Sequence, residues 1–322
     1  MLARALSLLF SSAGRRVELM RCFRKWAHSL GIDVELIAVD VAPGWSPACQ
    51  FADSYFEVPY CDDLDFPKTI LEICEDHYVD LLVPTIDPEL PIYAKNREAF
   101  EQAGTYILLP PGELVSMARD KADTAKMLSD MGISVPETWP GTEVLEEEPH
   151  AYPLIAKPIN GSGSAGVKTV SGPQELKEVC RCPDYVVQKE CQGREFTVHC
   201  FFVPELGCVS AVPYWRKKVR DGEVCFGQTE RVPQFKEVGD RLAEHFPGLS
   251  GVLCFQAFLQ PNGDYKVFEI NARFGGGYPL CDRAGGTFAK WILQQLIGQE
   301  PDYHDDWQEG LRMLRYDAAV FV

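Results

Sequence analysis

The sequence predicts an α/β fold that opens on a parallel sheet and continues into an α+β region, and three observations predict it. The first hundred residues alternate short apolar runs with amphipathic stretches of helical spacing. At "DKADTAKMLSDMGI", residues 120–133, the texture changes: a helix with Ala122, Ala125, Leu128 and Met131 on one face leads into short strands and a glycine-rich loop. Further on, "GVLCFQAFLQPNGDYKVFEI", residues 251–270, reads as a hairpin whose "PNGD" turn joins two strand runs.

Taken in order, "ALSLLF" is a first strand, and Val17, Met20, Phe23, Ala27 and Leu30 then recur on one helical face. "VELIAVD" is a second strand ending at Asp40. "FPKTILEICEDHY" reads as a helix, "VDLLVPT" as a strand, "LPIYAKNREAFEQAG" as a helix stopped at Gly104, and "TYILLP" as another strand. This βαβ rhythm implies helical crossovers and a ligand side at the carboxyl ends of the strands. Those ends carry "SSAGRR" (Ser11 to Arg16), Asp40 and "TIDPE" (Thr85 to Glu89). Each is either a turn with a helix cap or a substrate contact. The first lacks the G-x-G-x-x-G pattern of dinucleotide-binding folds.

Composition narrows the function. A formal charge of -16, from 31 Lys+Arg against 47 Asp+Glu, argues against a nucleic-acid-coating protein, which needs a basic footprint. An anionic small molecule still fits if a local cationic pocket or Mg²⁺ meets it. The 12 cysteines are scattered without C-x-x-C spacing, so a reducing cytosol is expected rather than a disulfide framework or a zinc site. The opening "MLARALSLLFSSAGRR" has an apolar core, Leu6 to Phe10, too short for a signal peptide. No apolar stretch approaches the ~20 residues of a membrane span.

The chemistry lies downstream. The run Glu146 to Glu148 reads as a solvated surface. In "AKPINGSGSAGVKTV" Lys157 closes a strand, and Gly161, Gly163 and Gly166 punctuate a small-residue loop before the next one. Such a loop is either a plain hairpin or a cradle whose backbone N–H groups meet phosphate oxygens. It is not a Walker A loop, because a strand follows where a helix should start. In "YKVFEINARF" strand alternation predicts Lys266, Phe268, Ile270 and Ala272 on one face and Val267, Glu269, Asn271 and Arg273 on the other. The hairpin would bring Gln256 beside Glu269. Glu269, Asn271 and Gln256 are hard oxygen donors suited to Mg²⁺, and Arg273 is suited to a transferring phosphoryl group. The competing reading is a surface ion pair on an edge strand.

Together these segments resemble the ATP-grasp superfamily, most closely its carbamoyl-phosphate-synthase-like, carboxylate-amine ligase branch. The resemblance spans nearly the whole chain and rests on the order and spacing of its motifs. It implies an N-terminal pre-ATP-grasp domain at residues 1–112, a small ATP-grasp lobe at 113–188 and a large lobe at 189–322. It implies that Lys121 and Lys157 contact ATP phosphates beneath a mobile loop of Gly161, Ser162, Gly163, Ser164 and Gly166. The link Gln188, Lys189, Glu190, Cys191 would meet adenine, and Glu195 the ribose. Gln256, Glu269 and Asn271 would hold Mg²⁺ or Mn²⁺, two ions in all, with Arg273, Lys157 and Asn271 as the catalytic set. Two positions depart from the pattern: Lys189 and Gln256 stand where many members carry a carboxylate.

The resemblance further implies a ligase that joins a small carboxylate to an amine through an acyl phosphate, releasing ADP. The absence of Ser-His-Asp or Cys-His spacing agrees with this. Arg15, Arg16, Asp87 and Glu89 are expected to reach the cleft from the first domain. Gly275, Gly276 and Gly277 are expected to let substrate approach the backbone as an anion nest, and Cys281, Asp282 and Arg283 to line the substrate pocket. A cytoplasmic homodimer without nucleic-acid or membrane partners is the default expectation. The rivals are a bicarbonate-activating phosphotransferase and an ATP-binding sensor without turnover.

Overall fold

The computed structural model describes residues 5–144, 151–161 and 165–322. Strands β1 (Leu6–Ser11), β2 (Val34–Asp40), β3 (Ser54–Glu57), β4 (Leu81–Pro84) and β5 (Tyr106–Ile107) form a parallel sheet in the order β3-β2-β1-β4-β5. Its inner strands are apolar on both faces because both are covered. Leu8, Phe10, Leu36 and Ala38 join one core with α1 (Val17–Ser29), where α2 (Pro47–Phe51) also packs. Leu9, Ile37, Val39 and Leu82 join another with α3 (Phe66–Asp76) and α4 (Leu90–Gln102). The sequence reading found four of these strands. β3 lacks an apolar run because it is an edge strand that alternates half-buried and exposed residues.

Sheet order reverses between β1 and β4, so a crevice opens where the chain leaves their carboxyl ends. Helix α5 (Gly112–Arg119) then leads to α6 (Lys121–Asp130), capped by Asp120, whose carboxylate accepts from the Ala122 and Asp123 N–H groups. Strands β6 (Thr138–Pro140), β7 (Leu154–Pro158), β8 (Lys168–Val170) and β9 (Tyr185–Lys189) form a small antiparallel sheet in the order β6-β9-β7-β8, with α7 (Pro173–Val179) against it.

The largest sheet is antiparallel: β10 (Arg194–Val203), β11 (Gly207–Arg220), β12 (Glu223–Thr229), β13 (Gly251–Leu259), β14 (Tyr265–Asn271) and β15 (Arg312–Leu314), ordered β14-β13-β10-β11-β12-β15. Helix α8 (Pro233–His245) covers one face through Phe235, Val238 and Leu242. Helices α9 (Tyr278–Ala284) and α10 (Phe288–Leu296) cover the other and share a core with α1. Phe23, Phe274, Phe201 and Trp291 belong to that shared core, which joins the first sheet to the largest one.

Strict alternation fails in β14. Gln256 faces Glu269, but Ala257 faces Val267, so Phe268 is an extra residue in a bulge. Val267 and Ile270 therefore both enter the core, while Phe268 and Glu269 both face the cleft. The predicted separation of Phe268 from Glu269 onto opposite faces is corrected accordingly.

Candidate active site

Between the small sheet and the β13–β14 hairpin lies a cavity of about 360 Å³. Ile155, Val167, Phe258 and Phe268 supply its apolar surface, and Lys121, Lys157, Glu195 and Glu269 its charges. Lys157 sits on β7 with its ammonium 4.6 Å from the Phe268 ring centroid, a contact that the bulge makes available. Lys121 opens α6 and donates to the Ile159 and Gly161 carbonyls at 3.3 and 2.5 Å, tying down the start of the glycine loop. Burial lowers both lysine pKa values, and the Glu269 carboxylate works against that in each case. Gln188, Lys189, Glu190 and Cys191 line the same cavity, and the buried Gln188 amide donates to Thr138 Oγ1. Lys189 pairs with Glu137. Ser162, Gly163 and Ser164 lie outside the described residues; Gly166 adopts a left-handed φ of 72° at the loop's far end.

A second cavity, of about 110 Å³, is lined by Arg216, Arg273, Tyr214, Asn271, Glu223 and the glycines Gly275 to Gly277, among others. Gln256 and Glu269 line both cavities. Arg273 lies at its base: its Nη2 donates to Asp87 at 2.5 Å and to Asn271 Oδ1 at 3.0 Å. Burial opposes that charge most strongly, but the Asp87 carboxylate, with Cys254 and Glu223 adding to it, leaves the Arg273 pKa raised. Glu269 has the reverse balance. Burial raises its pKa, and Lys121, Lys157 and Arg273 recover part of the cost.

Arg216, on β11, escaped the sequence reading. Its side chain is nearly enclosed, pairs with Glu195 at 2.8 Å, and donates to Gln256 Oε1 at 2.5 Å and to the Gly222 carbonyl. It thus links a wall of the first cavity to the second. In "YWRKKVR" it opens a basic run that has the local signature of a solvated strand end, so nothing in the sequence sets it apart from Lys217, Lys218 and Arg220.

The first domain contributes less than expected. Asp87 reaches the cleft through Arg273, and Arg16 pairs with Glu223 at 2.8 Å beside Gly276. Arg15 is exposed and lines neither cavity. Glu89 is wholly buried, accepting from Ser11 and Ser12 hydroxyls and from the Thr85 and Ile86 N–H groups. It therefore ties β1 to β4 inside their crevice instead of facing a substrate.

The glycine run is also corrected. None of Gly275, Gly276 and Gly277 has a positive φ, and the Gly275 N–H is spent on His199, so no anion nest forms. Their bareness serves protein packing: a Cβ on Gly276 would meet Glu223 and Arg16, and one on Gly277 would meet the Tyr214 hydroxyl. The chain then enters α9, which carries Cys281 against His199 and Asp282 against Lys25 and Trp26, away from the cavities. Arg283 is exposed and lines neither.

The oxygen donors fit a divalent cation held jointly with phosphate. Glu269 has no hydrogen-bond donor among the described residues, so its oxygens are open to a cation. Gln256 faces it across the hairpin and Asn271 follows it two residues on along β14, although their oxygens are turned to Arg216 and Arg273. One carboxylate with two amides leaves the remaining positions to phosphate and water.

Residues 8–108 match the family described as PylC-like, N-terminal domain, and residues 118–277 match the ATP-grasp domain. The chain belongs to the ATP-grasp superfamily. Of curated proteins it is similar to the D-alanine--D-alanine ligase of Aquifex aeolicus (strain VF5), 28% identical over 159 residues, covering 46% of this chain and 53% of the relative. The chain thus spans about half the length of the curated relative it matches. In structure it is similar to the biotin carboxylase of Campylobacter jejuni, with a TM-score of 0.74 and 15% identity over 96% of this chain and 74% of that one. It is also similar to the L-amino acid ligase of Bacillus licheniformis, with a TM-score of 0.67 and 21% identity over 92% and 75%. These likenesses show a shared ATP-grasp fold. Among the described residues no helix is long and apolar enough to cross a membrane.

Proposed function

We propose that this ATP-grasp protein is an ATP-dependent carboxylate–amine ligase. The observation that carries the reading is the shared wall: Glu269 and Gln256 line both the larger cavity, with Lys121 and Lys157, and the smaller one, with Arg216 and Arg273. One cavity suits a nucleotide triphosphate and the other a small carboxylate, so the γ-phosphate and its acceptor meet at that wall. The 1–112, 113–188 and 189–322 divisions then correspond to substrate, nucleotide and catalytic lobes.

In this reading Lys121 and Lys157 hold the phosphates, while the adenine lies along Gln188 to Cys191 and the ribose near Glu195. A substrate carboxylate oxygen attacks the γ-phosphorus, the bond to the β-phosphate oxygen breaks, and ADP leaves. Arg273, fixed by Asp87 and Asn271, offsets charge on the transferred group. An amine attacks the resulting acyl phosphate, loses a proton and expels inorganic phosphate, leaving an amide. Mg²⁺ at Glu269 and Asn271, when bound, supplies charge neutralisation on the phosphates. Curated and structural relatives named as ligases support this reading.

The test is ADP release from Mg-ATP against pooled amino acids, small carboxylates and bicarbonate, with Glu269→Ala in parallel. Stimulation by an amino-acid or carboxylate pool, lost in the variant, supports the ligase. Stimulation by bicarbonate alone replaces it with a bicarbonate-activating enzyme. Tight ATP binding without stimulated turnover favours a sensor.

A further inference from the structure

We infer that His199 is a positioning residue for the active-site segment that carries Asn271 and Arg273, acting as the acceptor for the Gly275 N–H. The inference rests on the ligase reading for its effect on turnover, though not for its geometry.

The chain leaves β14 at Asn271, so the Gly275 amide has no strand partner of its own. It donates instead to His199 Nε2 at 3.0 Å. That assigns the imidazole proton to Nδ1, which faces Cys281 Sγ at 3.4 Å, and the thiol in turn lies 3.8 Å from the Val212 carbonyl. The ring is fully buried and stacks on Tyr214 at 5.8 Å, a residue that also lines the second cavity. Both ring nitrogens are thereby used, and the tautomer is fixed from both sides.

The contact is tight. A Cβ on Gly275 would fall 2.9 Å from both His199 Nε2 and Cys254 Sγ, so this backbone rests directly on the imidazole. The register connects it to the site: His199 faces Cys254 across β10 and β13, and Cys254 faces Asn271 across β13 and β14. Only Arg273 and its neighbours lie between Asn271 and the clamped glycine. Burial, resisted by the Gly275 bond and aided by nearby Arg273, holds the His199 pKa down at about 3, which keeps Nε2 an acceptor at neutral pH. Without that acceptor the half-buried N–H would lose its partner, and the segment would shift to satisfy it.

Side-chain length separates this role from packing. His199→Gln can place an amide oxygen where Nε2 stands, whereas His199→Asn is one methylene shorter and reaches only the Nδ1 position. His199→Leu fills volume without accepting. We expect the Gln variant to keep kcat/KM for the acceptor substrate within about threefold of wild type. The Asn and Leu variants should lose about 10–100-fold with ATP affinity unchanged. In nucleotide-free protein, amide exchange at Gly275 should be slow in wild type and Gln, and at least about tenfold faster in Asn. Equal exchange in the Gln and Asn variants overturns the inference, and that pair decides the matter if the Leu variant fails to fold. Exchange that follows the acceptor pattern, in a wild type that turns over with no acceptor substrate, sustains the clamp and sinks the ligase reading alone.

Discussion

Replacing Glu269 by Gln should make the nucleotide-free protein more stable at neutral pH while removing its response to Mg-ATP. Glu269 is a half-buried carboxylate without a hydrogen-bond donor among the described residues, and desolvation in the cleft raises its pKa above the ordinary 4.5 despite Lys121, Lys157 and Arg273. Between 4.5 and its raised folded value the native state binds more protons than the unfolded chain, so this group costs stability as pH rises. An isosteric amide carries no such cost. An incompletely satisfied buried polar group is worth about 1–3 kcal/mol. At roughly 2 °C per kcal/mol for a chain of this size, the variant should melt about 2–6 °C higher at pH 8. The gap should shrink as pH falls toward 4.5. Mg-ATP at about 100 times its Kd should stabilise wild type by ~2.7 kcal/mol, and most of that gain should vanish in the variant. Differential scanning fluorimetry from pH 5 to 8, with and without Mg-ATP, measures all of this. A variant that melts below wild type at pH 8 without nucleotide would refute the reasoning, because Glu269 would then be a structural counter-ion for the two lysines.

Three further outcomes follow from particular contacts. Glu89→Gln replaces a carboxylate that accepts from four donors, so it should cost about 2–4 kcal/mol of stability. Its acceptor KM should stay unchanged; a raised KM would restore the substrate-contact reading. Phe268→Leu keeps an apolar side chain but removes the ring beneath the Lys157 ammonium. It should weaken ATP binding by about 3–30-fold, corresponding to ~0.5–2 kcal/mol, as isothermal titration would show. Gly276→Ala drives a methyl group into Glu223 and Arg16, and crowding of that kind costs about 1–3 kcal/mol. Acceptor-dependent turnover should fall while ATP affinity holds, and unaltered steady-state kinetics would show that the wall of the second cavity yields.

What the sequence disclosed and what it withheld follow from the range over which each signal acts. The parallel sheet was legible because each buried strand is a continuous apolar run, and its one unread strand, β3, is the edge strand without such a run. Gln256 opposite Glu269 was legible because a short turn fixes hairpin register. The bulge at Phe268 was not, since one inserted residue leaves no mark in composition while it turns every later side chain to the other face. The larger errors concern residues whose roles are decided by distant partners. Glu89 lies 78 residues from Ser11, and Gly276 is bare because Arg16 and Glu223 pass beside it. Three consecutive glycines and an acidic loop at a strand end carry the same local signature whether they meet a ligand or another part of the chain. Only the fold decides between these. Here it assigns the glycines to packing against Arg16, Glu223 and Tyr214, so the wall of the second cavity is held partly from the first domain. A change at Arg16, on the far side of that contact, should therefore be felt in the second cavity before it is felt in the first.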